Sequence, residues 1–430
     1  MTTSDYPNSY YAASRNIDLN LPALNDEIVA DVCIVGGGYS GLATALYLRE
    51  QGATVALLES HRIGWGASGR NGGQIVSGYG EDTEHLVSRI HGPDAAQRVA
   101  RLEFDCLRIL RETIDRHHIE CDLTFGYVRA AMTRRQEQRL RQMMERWQSI
   151  NAPGRIEFVD GQGVKDLVGT DAYRAAVYTD CEGHLHPLNL ALGEAKAILD
   201  LGGQIFEQSP ATHINYGQNG GPVTVKTPDG QVVADTLVLA GNAYLEKLEP
   251  RLQRTLIPGY TAIIATAPLS KEFTKRLLPR NTAVSDMRSV LDYYRLSADG
   301  RMLWGGLAHW SGNDTAHPET LLRKRMLKIF PWLGDTRTDY QWSGRIGISA
   351  NLNPQIGRLA PNIYYTQAYS GHGIAPSHLS ARMITDAIQG GSEDFEMFAA
   401  IPHRSVPVNK GIHQLARAWG MNSRRVIEWF

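Results

Sequence analysis

Three periods of apolar and polar residues divide the chain. A run of apolar positions from Val32 to Val35 predicts a buried parallel strand, and Leu42 to Glu50 predicts a helix stopped at Gly52. A second apolar run, Val55 to Leu58, predicts the next strand. Helical spacing returns between 81 and 150, in Leu102, Leu107, Leu110 and Ile114, with a short strand at Phe125 to Ala130 and a charged helix from Thr133 to Ser149. An alanine-rich helix ends at Gly202-Gly203, a short strand leads to Ala211, and Gln231 to Leu239 is another strand. The segment Ile257 to Gln341 differs, because it alternates with period two and carries aromatics. Asp299-Gly300 between Leu291-Asp292-Tyr293-Tyr294-Arg295-Leu296 and Met302-Leu303-Trp304 is a hairpin signal, so this part predicts an antiparallel sheet. Near the end, Asn362 to Ala368 is a strand, and a helix runs from about Pro376 to Gly390.

The first strand leads into chemistry. Gly36, Gly38 and Gly41, in Gly36-Gly37-Gly38-Tyr39-Ser40-Gly41, form G-x-G-x-x-G at a strand-to-helix turn. The first glycine permits the turn, the second lets a pyrophosphate approach the backbone, and the third lets helix and strand pack closely. Glu59, followed by Ser60, ends the second strand where an acid accepts ribose hydroxyls. A Rossmann-like dinucleotide domain follows. The next stretch, with Gly66, Ala67, Ser68, Arg70, Asn71, Gly72, Gly73 and Gln74, is a glycine-rich loop rather than another helix, and it suits an extended flavin cofactor better than a nicotinamide. Small residues Ala240, Gly241 and Asn242 allow backbone to touch the cofactor, and Gly371, His372, Gly373 and Ile374 open a helix N-terminus suited to negative charge on a flavin. Aromatic and cationic residues Tyr260, Tyr294, Arg295, Trp304, His309 and Trp310 either line a ligand pocket or form ordinary core.

Composition narrows the function classes. At 430 residues the chain calls for two domains, and 43% hydrophobic residues can fill both cores. Lys plus Arg (44) balances Asp plus Glu (45), so no field draws in nucleic acid. No apolar run reaches a membrane span, and four scattered cysteines with no signal peptide favour a cytoplasmic setting. His117-His118-Ile119-Glu120-Cys121-Asp122 lacks ligand spacing, so no metal is expected. There is no second G-x-G-x-x-G for a nicotinamide.

Taken together, the first unit, the Gly-Ala-Ser-Gly-Arg-Asn-Gly-Gly loop, His-Pro-Leu-Asn-Leu at 186 to 190, Ala-Gly-Asn-Ala-Tyr at 240 to 244, Leu-Asp-Tyr-Tyr-Arg-Leu at 291 to 296 and Tyr-Ser-Gly-His-Gly at 369 to 373 resemble the gamma-glutamylputrescine oxidoreductase family, within the glycine and D-amino-acid oxidase group. The resemblance runs from Tyr10-Tyr11 to about residue 400. It implies an α/β (α+β overall) fold, with a Rossmann-like FAD-binding domain and an inserted antiparallel-sheet substrate domain. The expected division is an N-terminal arm at 1–30 lying on the surface, an FAD domain at 31–80, 181–255 and 340–400, a substrate domain at 81–180 and 256–339, and a basic tail at 401–430. It further implies noncovalent FAD and oxidation of a primary amine by hydride transfer, with dioxygen or another acceptor taking the electrons. Sarcosine, glycine or D-amino-acid oxidation, and a flavin-binding sensor or scaffold without turnover, are the alternatives. By position, Gly36, Gly38, Tyr39, Ser40, Gly41, Glu59, Ser60 and Ala211 would meet the ADP half. The loop from Gly66 to Gln74 would lie along pyrophosphate and flavin, with Ala240 to Asn242 close by, and Gly371 to Ile374 at the pyrimidine edge. Substrate-side candidates are Tyr294, Arg295, Trp304, His309, Trp342, Arg345 and His372, with an arginine holding the substrate carboxylate.

Overall fold

A computed structural model describes residues 5–80, 82–288, 290–309 and 317–405, without the side chains of 219 and 307–309. Two sheets carry the architecture. In the first, Gln204–Phe206, Val55–Leu58, Glu27–Val35, Gln231–Leu239 and Ile363–Gln367 are parallel neighbours in that order, and antiparallel Gln355–Ala360 closes one edge. The apolar run in Glu27–Val35 is explained by burial on both faces: Val32 and Ile34 pack under helices, Cys33 and Val35 against an opposite layer with Val223 and Val225.

The second sheet runs Thr338–Ser349, Leu256–Thr266, Met302–His309, Tyr293–Leu296, Ala283–Asp286, Thr124–Ala131, Ala175–His184 and Gln74–Ile75. Its neighbours are antiparallel apart from the parallel pair Ala283–Asp286 and Thr124–Ala131. The hairpin at Asp299-Gly300 forms as read, with Gly300 at φ +80°. One face of this sheet, with Ala262, Ile264, Tyr294 and Trp304, packs under Pro318–Ile329; the other, with Ile263, Leu303 and Trp342, joins the core of the first domain.

Three divisions fall elsewhere than expected. Residues 5–30 do not lie wholly on the surface: Tyr10 and Tyr11 are buried, because a one-turn helix, Tyr10–Ala13, sets their rings against Tyr340 and Trp342 of the second sheet and against His186. Helices Thr83–His91 and Pro93–Arg116 sit with the first domain, where Thr113 meets Tyr47 of helix Tyr39–Glu50 at 2.8 Å. Strand Thr338–Ser349 stays in the second sheet along its whole length, so a boundary at 340 would cut a strand paired throughout with Leu256–Thr266. Of the basic tail, only 401–405 lie among the described residues, and Trp310 lies outside them.

Candidate active site

The glycine bends converge at the carboxyl ends of the parallel strands. Gly36 has φ +115°, and a Cβ there would lie 2.8 Å from the carbonyl of Ala240; at Gly41 it would lie 1.9 Å from the Gly36 oxygen. Only glycine permits that helix-to-strand approach. The Glu59 carboxylate accepts hydrogen bonds from the backbone N–H of Gly37 (2.7 Å) and His61 (2.8 Å), while burial raises its pKa above the usual carboxylate range. Ser68 Oγ accepts from the N–H of Tyr39 at 3.0 Å and fills the place of a Cβ on Gly38, which brings the loop onto the helix N-terminus. From the far end of the chain, Tyr369 Oη lies 2.8 Å from Ser40 Oγ and 2.6 Å from Thr366 Oγ1. The helix Ile374–Ile388 thus begins beside the helix Tyr39–Glu50, although 329 residues separate Ser40 from Tyr369.

The loop then crosses to the second sheet. Trp342 Nε1 donates to the carbonyl of Arg70 (2.9 Å), and Arg295 Nε donates to that of Gly72 (2.8 Å). Gln74 Nε2 donates to the carbonyl of Val284 at 3.1 Å and its Oε1 accepts from Tyr127 Oη at 2.9 Å. Facing Gly72 and Gly305, Tyr293 lies where a Cβ on either would come within 2.5 Å of its ring. The result is a junction of the glycine bends with Tyr293, Arg295 and Trp342, where a cofactor cleft would open. A glycine cradle with an acid at the second strand fits an ADP moiety, and the loop fits the remainder of a flavin dinucleotide.

Comparison with known proteins agrees with this geometry. The family model for FAD dependent oxidoreductases (DAO) matches residues 31–387. The chain belongs to that family. It is 41% identical over 405 residues, 94% of each chain, to gamma-glutamylputrescine oxidoreductase of Escherichia coli. It is 36% identical to a probable oxidoreductase, OrdL, of Haemophilus influenzae, covering 99% of this chain and 98% of that one. Among solved structures, glycine oxidase from Bacillus cereus shares the fold, with a TM-score of 0.70 at 22% identity, covering 88% of this chain and all of that one.

Within this DAO chain, the expected site residues separate into three groups. Gly36, Gly38, Gly41, Glu59, Gly66, Ala67, Ser68, Arg70, Asn71, Gly72, Gly73, Ala240, Gly241 and Asn242 lie in the convergent bends. Asn71 orders its own loop by donating to the carbonyls of Ala67 and Ser68 and accepting from Gly73 N–H, and Asn242 Oδ1 accepts from Ala368 N–H at 3.1 Å. Tyr39, Ser60, Ala211 and His372 reach the region through backbone or rim. The Tyr39 hydroxyl turns away to the carbonyl of Pro187 (2.9 Å), Ser60 Oγ only approaches Glu59, and Ala211 is half-buried beyond Ser209, whose N–H bonds the Glu59 carbonyl. His372 is exposed, and its N–H closes the turn onto Tyr369.

Tyr294 and Trp304 fall outside the cleft. They stack at 4.5 Å, fully buried, under Phe330 on the opposite sheet face. Alternation is the reason: Tyr293 faces the cleft, so Tyr294 cannot. His309 ends its strand, and its side chain lies outside the described residues. Arg345 sits at the rim, ion-paired with Glu246 (2.7 Å), with its guanidinium over the Tyr244 ring; its Nε is buried without a partner among the described residues. Tyr244 in turn packs where a Cβ on Gly66 would stand. Sequence reasoning missed Tyr293, Tyr244, Tyr369 and the site role of Tyr11; the only signal for Tyr293 was its neighbour, which pointed to the right strand and the wrong face.

Proposed function

We propose that this chain oxidises the primary amine of gamma-glutamylputrescine, or of a related glutamylated polyamine, to an aldehyde with release of ammonia, using noncovalently held FAD. The observation that carries the reading is the 41% identity across 94% of both chains to a relative of that name. The arrangement of the cleft supports it. Bound FAD supplies the two-electron oxidation of the amine-bearing carbon and passes the electrons to dioxygen or another acceptor. Tyr293, against Gly72, and Trp342, bonded to the Arg70 carbonyl, flank the loop with aromatic surface that would exclude water and favour the neutral amine over the ammonium ion. At the rim, Arg345 has an unused buried Nε and a partly exposed partner in Glu246, so a substrate carboxylate can replace that glutamate in a bidentate pair. The oxidised amine is an imine, which water hydrolyses to the aldehyde and ammonia. Noncovalent attachment is supported by Ser68 and Gly69 standing in the loop where a covalent histidine would be needed, and by cysteines 33, 106 and 121 being buried in the cores.

Anaerobic mixing with candidate amines tests the reading. Bleaching of the flavin absorbance by glutamylated diamines, and not by free putrescine, sarcosine or D-amino acids, is the expected result. Preferential bleaching by sarcosine, glycine or a D-amino acid would move the chain to the amino-acid oxidase branch, and no bleaching by any amine would make it a flavin sensor or scaffold. Acid precipitation should leave all the yellow colour in the supernatant; colour in the pellet would refute noncovalent binding.

A further inference from the structure

Arg295 is 3% exposed, and every group it touches is neutral. Its Nε donates to the carbonyl of Gly72 (2.8 Å), its Nη1 to that of Leu296 (3.1 Å), and its Nη2 to that of Leu185 (2.8 Å) and to the Tyr11 hydroxyl (3.2 Å). No carboxylate among the described residues pairs with it. The nearby acids are engaged elsewhere, Asp286 of the adjoining strand and Asp292 with Arg288, Asp299 of the hairpin turn with Arg301, and Glu182 with Arg129. A guanidinium held this way keeps its hydrogen bonds and lacks a counter-charge, a costly arrangement in a protein interior unless a ligand supplies the charge. The two histidines nearby add no second positive charge, since burial, and then the Arg295 charge, push His184 and His186 down to about 3 and leave them neutral.

The position of this charge is specific. Arg295 fixes the Gly72-Gly73 turn of the cofactor loop, and its guanidinium is so close that a Cβ on Gly73 would lie 2.7 Å from Nη2. Tyr11 backs it from the N-terminal segment: fully buried, its ring is edge-on to Trp342 at 5.1 Å and to His186 at 5.0 Å. We infer that Arg295, braced by Tyr11, is a positioning residue of the cofactor site whose uncompensated charge finds its partner in the anionic reduced flavin, so that folding of the N-terminal segment and cofactor potential are linked. This rests on the flavin reading above. It differs from holding a substrate carboxylate, for which Arg295 is almost unexposed and, with four of its five N–H groups engaged, has no free fork. Charge near the flavin ring is a lever by which a protein tunes the electronics of this cofactor.

The test uses purified holoenzyme and readouts other than turnover. Arg295→Gln is expected to lower the two-electron midpoint potential by about 30 mV, which corresponds to about tenfold in the relative affinity for reduced and oxidised flavin. It should weaken formation of the flavin–sulfite adduct by a similar factor. Arg295→Lys keeps the charge but not the planar fork, so the potential should stay near wild type while FAD dissociates about tenfold faster. In wild-type protein, the reduced flavin should show the anionic spectrum throughout pH 6 to 8. A potential and sulfite affinity unchanged in Arg295→Gln overturns the inference, and so does a neutral reduced flavin in the wild type, a measurement that stands even where the variants fail to fold. Colourless wild-type protein would overturn the flavin reading itself; a yellow one with an indifferent Arg295→Gln overturns this inference alone.

Discussion

The parallel sheet and the antiparallel sheet meet at one cleft, yet they contribute to it by different physics. On the parallel side backbones meet: a Cβ on Gly36 would strike Ala240, on Gly38 Ser68 and on Gly41 the Gly36 oxygen, so the missing side chains let strand, helix and loop close on one another. On the antiparallel side, side chains of one face, Tyr293, Arg295 and Trp342, meet the loop, and Tyr294 and Trp304 serve a separate core. A substitution on the first side therefore acts by adding atoms; one on the second acts according to parity.

The largest effect tests the first half of that comparison. Gly41→Ala puts a methyl 1.9 Å from the Gly36 oxygen, and is expected to yield no yellow, folded protein on purification. Recovery of a holoenzyme with wild-type absorbance would show that the helix can shift at little cost. Next, parity predicts a clean exchange between neighbours. Trp304→Ala should cost about 3–5 kcal/mol in chemical denaturation, the usual cost of emptying a buried tryptophan site, and Tyr293→Phe should leave stability within about 1 kcal/mol while changing turnover. Equal stability losses in the two variants would break the two-face description. Glu59→Ala should weaken FAD retention about tenfold, as expected for loss of a charge-assisted hydrogen bond of about 1.4 kcal/mol or more; unchanged dissociation on dilution would remove Glu59 from the ribose site. A further effect is a pH dependence arising where the sheets touch. His184 and His186 titrate near 3 folded and near the ordinary 6.5 unfolded, so the unfolded chain binds more protons between those values, and stability falls as pH drops from about 6.5. Each contributes at most about 1.4 kcal/mol per pH unit, measurable by denaturation at pH 7, 6 and 5; replacing His186 by Asn should flatten that slope.

The sequence exposed the site unevenly, and the reasons are local. Glycine spacing and the acid at Glu59 were readable because each does its work within a single strand-turn-helix unit, where neighbours along the chain are neighbours in space. The strand Gln231–Leu239 was readable to its ends for a local reason too, since its burial alternates at first and it finishes on the buried apolar run Leu237-Val238-Leu239. The pair Tyr293-Tyr294 was not. Two adjacent aromatics satisfy the alternating pattern in either register, and only the pairing with Met302–His309, together with the helix Pro318–Ile329 on one side, chooses which ring enters the cleft. The N-terminal residues were misread as an arm because polar residues surround Tyr10 and Tyr11, and nothing nearby in sequence shows that the Tyr10 hydroxyl will donate to Asp299 and the Tyr11 hydroxyl accept from Arg295.

By itself, then, the amino-acid order settled the dinucleotide fold, its glycine bends and the presence of a second, alternating sheet, all of which depend on spacing over a few residues. Tertiary structure decided what depends on distant segments meeting. It put Tyr369 against Ser40, turned Arg295 from a substrate ligand into a brace for the cofactor loop, and left Arg345 at the rim. The physical reason is that hydrophobic periodicity specifies that a face will be buried, while the partner packed against it determines whether that face becomes core or cleft.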